Sequence, residues 1–261
     1  MKSLYLRAIS YGPPRILLRK LRAHFLKQCG CSDPFDDLAR ISRVMNCDIC
    51  VDIGCHHGQT GLRLMETGLR CPILAVDPFA DNLQKARKTL AKHNTVTFCE
   101  AAISDINGDA RFFINRNEQT SSLLVNASGN VQSFGADTDL AKTITVQTLR
   151  LDTLVDRMCP SAKRIIIKSD TQGAEAKVIR GGLSTIKDKC VAFYAEFMLG
   201  QMYEGQASFE ELRDLLENKC GMVLRDIYPC LHGRDGAAAQ ADALWVKPSA
   251  LDYFIGHRIL D

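Results

Sequence analysis

The sequence has no apolar run that approaches the roughly 20 residues of a membrane-spanning helix. It also has no internal repeat and no low-complexity tract, which argues against repeat architectures and long disordered segments. We expect no secretory signal, because Pro13-Pro14 interrupts the start and charged residues are mixed with apolar ones over 15–27. These absences favour a cytoplasmic protein of 261 residues with one main domain.

Acidic residues are missing from the first 32 positions, which carry seven lysines and arginines. The remaining chain carries 26 basic and 30 acidic side chains, so it lacks the basic character of a nucleic-acid-binding protein. Residues 15–28 predict an amphipathic helix with a basic face, which could pack on the domain, contact a partner or lie on an anionic membrane surface. We favour packing. We expect a basic helical extension or cap over 1–46 and the main domain over 47–261.

The eleven cysteines are scattered and odd in number, which is typical of a reducing compartment rather than of a disulfide framework. Several fall in or beside predicted core strands, where a free thiol packs as a small apolar group. A zinc site formed by Cys29 and Cys31 with Cys47 and Cys50 is an alternative. However, residues three apart at the start of a strand point to opposite faces. The sequence therefore indicates no metal site at these cysteines.

Short strand patterns alternate with helical ones along most of the chain. This alternation predicts an α/β fold with a doubly wound sheet and helices on both faces. The strand patterns cover residues 48–53, 72–76, 95–99, 110–114, 143–149, 164–169, 191–196, 222–227 and 244–246. Between them, residues 115–141 are rich in Asn, Ser, Gly and Asp and predict a long irregular segment, which is a lid, a binding loop or a disordered stretch.

A glycine turn follows the first predicted strand, Ile49 to Ile53. Gly54 and Gly58 allow the backbone to bend and to approach a ligand closely, and Asp52 stands where a carboxylate could bind an ammonium group. The second strand ends at Asp77, where a carboxylate can accept two ribose hydroxyls. The spacing differs from the Gly-x-Gly-x-x-Gly fingerprint of dinucleotide sites. An ammonium and a ribose together favour S-adenosylmethionine (SAM) as the cofactor.

A second group of charged residues lies at the ends of two later strands. Lys168 and Asp170 are two apart and therefore share a face, and Glu196 ends a neighbouring strand. Because a lysine is costly to bury unpaired, we expect Asp170 or Glu196 to be its partner. Asp170 is the first candidate for a general base, with Glu196 or Glu175 next, and Lys168 would hold the base in place. A structural ion pair and a solvated strand end are the alternatives.

His56 and His57 lie in the glycine turn and could serve as bases, although packing within the turn is the favoured interpretation. Magnesium held by Asp170 and other carboxylates beside the acceptor is a further alternative. No compact ligand set is visible in the sequence, so we expect no metal.

Several motifs resemble the FkbM family of SAM-dependent methyltransferases, over about Cys50 to Val246. Residues 51–58 are similar to the family's cofactor turn, although asparagine is usual at His56. Residues 75–78, followed by Asn82, are similar to its ribose segment. Ser121-Ser-Leu123 is similar to its mid-loop serine motif, and residues 148–154 to a strand-to-helix step. The most specific similarity is Ile167-Lys-Ser-Asp-Thr-Gln-Gly-Ala-Glu175, followed by Val178 to Gly182.

The resemblance implies O-methylation of a hydroxyl on a small molecule or sugar. It also implies a class I methyltransferase sheet of about seven strands, the last one antiparallel. With the residues argued above, it places the cofactor against Asp52, Gly54, His56, Gly58, Asp77, Pro78, Ala101, Ala102 and Asp170. Two other classes remain open: a nucleotide-sugar or NAD-binding enzyme on a similar sheet, and a non-catalytic SAM-binding module. The retained residues 168–175 argue against the module.

Overall fold

The computed structural model describes residues 33–234 and 236–255, with side chains up to residue 251. Its helices are α1 (Pro34–Val44), α2 (Gln59–Thr67), α3 (Ala80–Thr89), α4 (Ser128–Phe134), α5 (Leu151–Met158), α6 (Glu175–Gly181), α7 (Leu183–Asp188), α8 (Phe209–Arg213) and α9 (Pro248–Ile255). Shorter helical turns are two of 3-10 type, Glu118–Thr120 and Gly135–Thr138, and a π-helix, Asp214–Lys219, that continues α8.

The strands form a large sheet and a small one. They are β1 (Ile49–Ile53), β2 (Ile73–Asp77), β3 (Val96–Glu100), β4 (Ala102–Ser104), β5 (Gly108–Asn115), β6 (Leu140–Arg150), β7 (Ile165–Ser169), β8 (Cys190–Met198), β9 (Val223–Ile227), β10 (Leu231–His232) and β11 (Ala238–Val246).

The large sheet runs in the order β10-β11-β8-β7-β1-β2-β3, and β9 also pairs with β11. Strands β3, β2, β1, β7 and β8 are mutually parallel, whereas β11 is antiparallel to β8 and to β9. Strand β8 pairs with one edge of β11, over Gln240 to Val246. Strands β9 and β10 both pair with the other edge of β11, so together they occupy one strand position. The expected doubly wound sheet of about seven strands with an antiparallel last strand is therefore confirmed.

Both faces of the sheet are covered, as the apolar sequences of its central strands require. Val51 and Ile167 face one buried core, and Cys50 and Ile166 face the other. Burial on both faces leaves only the strand ends open to a ligand. The site therefore lies at the carboxyl ends of β1, β2 and β7, where open α/β sheets bind ligands.

The small sheet was not predicted as a separate sheet. Strand β6 pairs in parallel with β4 and antiparallel with β5, and this sheet has its own apolar cluster around Phe112 and Val146. Strand β4 follows β3 after one residue, so the small sheet begins beside the strand ends of the large one.

The expectation that residues 115–141 are irregular is wrong in part. The segment contains both 3-10 turns and α4, and β6 already begins at Leu140. Its asparagines supply the order: Nδ2 of Asn115 donates to the carbonyl of Thr120 at 2.8 Å, and Nδ2 of Asn126 donates to the carbonyl of Thr138 at 2.7 Å. In this segment, hydrogen bonds from side-chain amides to backbone carbonyls hold the chain in place, and such bonds leave no periodic pattern in the sequence.

Helix α1 packs on the domain through Leu38 and Ile41, which belong to the same apolar cluster as Cys50. Asp37 on this helix accepts from the hydroxyl of Tyr228 at 2.9 Å and from Arg225 at 3.2 Å. The domain division near residue 46 stays a prediction, and the predicted helix over 15–28 lies outside the described residues. In the part of the chain that the structure describes, no helix has the length and apolar character to cross a bilayer.

Candidate active site

The turn after β1 is shaped by residues with positive φ. Gly54 has φ +73° and Gly58 has φ +81°, in the region that glycine adopts without strain. A Cβ on Gly54 would lie 1.9 Å from the carbonyl oxygen of Asp170, so this turn touches the end of β7. His56 has φ +47°, a conformation that asparagine and histidine adopt more readily than most residues.

Asp77, at the end of β2, is held rigidly beside this turn. One carboxylate oxygen accepts from the backbone N–H of His56 at 2.9 Å. The other accepts from the backbone N–H of Phe79 at 3.0 Å and from Nδ2 of Asn82 at 3.2 Å. Burial raises the pKa of Asp77, and these hydrogen bonds oppose the shift. The carboxylate is thereby positioned at the wall of a cavity, as a ribose contact requires.

Lys168 is buried in the centre of the sheet, and its closest carboxylate is Asp52, at 3.1 Å from Nζ to Oδ1. Asp170 is second, at 3.7 Å, and the carbonyl of Gly54 accepts from Nζ at 2.9 Å. Burial alone would lower the pKa of Lys168, but Asp52 and Asp170 outweigh it and raise the pKa. The expected partner Asp170 is therefore confirmed at the longer distance, and Asp52 is a closer partner that was not expected, because parallel pairing of β1 with β7 sets it beside Lys168.

Gln172 joins two of the three carboxylates that the sequence proposes as bases. Its Nε2 donates to Oδ1 of Asp170 at 2.9 Å and to Oε2 of Glu196 at 2.7 Å. Its Oε1 accepts from the hydroxyl of Tyr203 at 2.8 Å. A primary amide has two N–H donors, so one can serve each carboxylate. Gln172 has φ +55°, a strained conformation that these contacts maintain.

The three candidate bases differ in their surroundings. The Asp170 side chain is 39% exposed, whereas Glu196 and Glu175 are buried. Burial, followed by the charge of Asp170, raises the pKa of Glu196 well above its ordinary value. Burial also raises the pKa of Glu175 to about 7, although Thr171 donates to it from its N–H and its hydroxyl. Asp170 is therefore the most accessible of the three carboxylates.

The two histidines of the turn stack on each other, with ring centroids 3.6 Å apart. Burial, followed by the neighbouring His57, lowers the pKa of His56 to about 4. Glu118, from the 3-10 turn that follows β5, lies 3.5 Å from Nε2 of His57 and 3.2 Å from Nζ of Lys85.

These elements enclose a cavity of about 510 Å³, a volume typical of small-molecule sites. One end is lined by the cofactor residues of the sequence analysis: Gly54, His56, Asp77, Pro78, Ala101, Ala102 and Asp170. The other end is lined by polar side chains, among them Thr120, Asn130, Gln172, Glu196, Tyr203 and Gln240. The glycine turn and the fixed carboxylate of Asp77 fit a nucleoside cofactor held at the first end.

Four predicted site residues do not line this cavity: Asp52, Gly58, Lys168 and Glu175. Asp52 is fully buried against Lys168, so its predicted contact with an ammonium group stays a prediction that this burial argues against. Tyr203 and Gln240 were missed because they follow β8 and lie within β11, where no local motif marks them. The positive φ of Gln172 is visible only in the structure.

The fold and the site together define a SAM-dependent methyltransferase. The chain matches the Methyltransferase FkbM domain over residues 52–224 and belongs to this family. It is similar to the 2-O-methyltransferase NoeI of Sinorhizobium fredii (strain NBRC 101917 / NGR234), with 27% identity over 186 residues, 64% of this chain and 70% of that protein.

Two solved structures with bound SAM are similar to this chain in fold. One is the magnesium protoporphyrin IX methyltransferase ChlM of Synechocystis PCC 6803 with bound SAM, with TM-score 0.43, 12% identity and coverage of 92% of this chain and 88% of that one. Another is Aeropyrum pernix fibrillarin with SAM, with TM-score 0.42, 8% identity and coverage of 76% and 66%.

Proposed function

We propose that this methyltransferase transfers the methyl group of SAM to a hydroxyl of a sugar or another small polar molecule, with Asp170 as the general base. The observation that carries the proposal is the position of Asp170. It is a partly exposed carboxylate at the end of the central strand, and it lies in the cavity wall between the cofactor end and the polar end.

The polar end of the cavity supports an acceptor with several hydroxyls. Amide and hydroxyl groups, which can both donate and accept, come from Asn130, Gln172, Tyr203 and Gln240. These groups hydrogen-bond to neighbouring side chains, and their remaining donors and lone pairs can bind the hydroxyls of a polyhydroxylated ligand. The relative NoeI is a 2-O-methyltransferase, which supports a hydroxyl acceptor.

The cofactor supplies an electrophilic methyl group on a sulfonium, and the protein supplies position and a proton acceptor. Holding both reactants in one cavity can contribute about 7–11 kcal/mol by positioning alone. Asp170 accepts the proton of the acceptor hydroxyl as the oxygen forms its bond to the methyl carbon and the carbon–sulfur bond breaks. Lys168 Nζ lies 3.7 Å from the Asp170 carboxylate and pairs with it, and Gln172 fixes the orientation of Asp170.

The same contacts favour Asp170 over the other candidates. Glu196 is buried, and burial raises its pKa well above the ordinary value. Its two carboxyl oxygens accept from the amides of Gln172 and Gln240, so it is less suited than Asp170 to remove a proton. Glu175 is buried behind the wall and bonded to Thr171, so it supports the loop that carries Asp170. Roles for these two as bases stay predictions.

Two variants separate cofactor binding from chemistry. Asp77→Ala removes the carboxylate proposed for the ribose, and we expect SAM affinity to fall by roughly 100-fold, because hydrogen bonds to a charged group contribute about 1.5–3 kcal/mol each. Asp170→Asn should retain SAM binding and lose roughly 10²–10⁴-fold in turnover. Calorimetry measures the first effect, and mass spectrometry of methylated acceptor pools measures the second.

Asp188→Asn is the matched control, since it makes the same chemical change at an exposed position of α7 that does not line the cavity. It should bind SAM and turn over like the wild type. Normal turnover by Asp170→Asn would show that another group, or water, accepts the proton. Unchanged SAM affinity in Asp77→Ala would place the ribose elsewhere.

A further inference from the structure

Three side chains with metal-binding atoms converge where the cofactor turn meets the segment after β5. His56 and His57 stack with an angle of 22° between their rings, and Glu118 approaches them from the 3-10 turn Glu118–Thr120. One ligand atom from each residue lies within 4.8 Å of the others. His57 Nε2 and Glu118 Oε2 are 3.5 Å apart.

The Nε2 atoms of both imidazoles in this group lack hydrogen-bond partners among the described residues. Nε2 of His56 and Nε2 of His57 are both buried, and neither makes a hydrogen bond within the described structure. Buried polar atoms are nearly always paired, so two such atoms side by side indicate a ligand that completes them. Neutral imidazole nitrogens are also the commonest metal ligands in proteins.

We propose that His56, His57 and Glu118 bind a divalent transition-metal ion of the zinc type, with one coordination position left open. Two imidazoles and one carboxylate are a frequent zinc donor set, whereas magnesium and calcium prefer oxygen ligands. In a tetrahedral site with bonds of about 2.0–2.1 Å, neighbouring ligand atoms lie roughly 3.4 Å apart. The separation of His57 and Glu118 already matches that edge.

Lys85 on α3 is an intrinsic competitor for this site. Its Nζ lies 3.2 Å from the same oxygen of Glu118 that faces His57, and its side chain is 47% exposed. A bound cation would repel this ammonium and displace it into solvent, which its exposure permits. Removal of the Lys85 charge should therefore strengthen metal binding. If Lys85 and Glu118 formed only a structural salt bridge, the same change would not increase metal affinity.

The bound ion would connect two parts of the cavity wall. His56 donates its backbone N–H to Asp77, and Glu118 belongs to the segment that covers the cavity. Coordination by both residues would hold the 3-10 turn against the cofactor turn. Amide hydrogens within that segment, such as those of Thr120 and Ser121, should then exchange more slowly.

Cobalt(II) is the probe, because its visible absorption intensifies in a four-coordinate site. The full chain should bind one equivalent with this signature, without the thiolate charge-transfer band that a cysteine ligand would add. Affinity should fall at least tenfold in His56→Asn and in Glu118→Gln and rise severalfold in Lys85→Met. Asparagine at position 56 tolerates the positive φ, so the first variant should fold.

His232→Asn is the control, since His232 lies exposed in β10 and should not alter binding. Zinc should slow amide exchange of Thr120 and Ser121 in the wild type but not in His56→Asn. Equal cobalt binding by wild type and His56→Asn, or weaker binding by Lys85→Met, would show that the metal binds elsewhere and would overturn the proposal.

Discussion

Lys168 and Asp52 place opposite charges inside the sheet, where neither side chain is more than 3% exposed. Removal of one partner from a buried pair leaves an uncompensated buried charge. The resulting loss of stability is larger than the net stability that the intact pair contributes. Asp170 lies farther from Lys168 and is more exposed. Water can solvate its carboxylate, so Asp170 needs the ammonium of Lys168 less than Asp52 does. The pair is thus a structural support for the proposed base.

Lys168→Met should destabilise the protein by about 3–5 kcal/mol, because Asp52 remains buried without its cation. Urea unfolding measures the change in free energy. The double variant Asp52→Asn/Lys168→Met removes both charges and should recover much of that stability. If the single variant is as stable as the wild type, Asp52 does not depend on Lys168.

Among the elements, the turn after β1 packs directly against the end of β7. Both Gly54 and Asp170 stand at strand ends that the parallel pairing of β1 with β7 brings together. A side chain at position 54 would enter the space of the Asp170 backbone. The glycine is therefore required by tertiary contact as well as by its own φ.

Gly54→Ala should lose more than about 3 kcal/mol and displace Asp170, since the added Cβ cannot coexist with the carbonyl oxygen at 1.9 Å. Gly205→Ala is a matched control, because Gly205 has a similar φ, +71°, and no atom within 4 Å of the added Cβ. It should lose only about 1 kcal/mol, from backbone strain alone. Thermal and urea unfolding compare the two, and equal losses would remove the steric argument.

For the whole molecule, buried carboxyl groups link stability to pH. Glu175 is 3% exposed, and its pKa rises from 4.5 to about 7 on folding because of burial. The folded state therefore favours the protonated form. The contribution of Glu175 to the free energy of unfolding is fully present below pH 4.5 and is lost as the pH rises through 7.

The free energy of unfolding should therefore fall by about 3 kcal/mol more in wild type than in Glu175→Gln between pH 4.5 and pH 8, since one pKa unit corresponds to about 1.4 kcal/mol. Glutamine retains the shape and an oxygen that can accept from Thr171. Urea unfolding across this range measures both proteins. Parallel curves would show that Glu175 has the same pKa in the folded and unfolded states. Comparison with the variant isolates Glu175 from other shifted groups such as Asp242.

Much of the architecture was predictable, because it rests on local signals. Apolar strand patterns at Ile49 and Ile165, interrupted by glycine turns, predict parallel strands with a site at their carboxyl ends. The small sheet and the order within residues 115–141 were not predictable in this way. They depend on pairing of β6 with β4 and β5 and on side-chain amides whose partners are distant in the chain.

In the candidate site, too, the residues marked by local sequence signals were predictable and those brought together by tertiary contacts were not. Asp77 and Asp170 were identifiable because each ends an apolar strand, a position that chain order alone defines. Three features were not identifiable in this way: the closer partner of Lys168, which is Asp52, the amide of Gln172 between two carboxylates, and the approach of Glu118 to His57. Each depends on residues brought together from separate elements.

Residue order alone thus establishes the class of fold, the family and the carboxylates at the strand ends, because strand periodicity and turn glycines act over a few neighbouring positions. Which carboxylate is buried and paired, which is exposed to a reactant, and which imidazoles lack a partner depend on the folded chain. Burial and charge are set by neighbours in space, and the pKa and reactivity of each group follow from them.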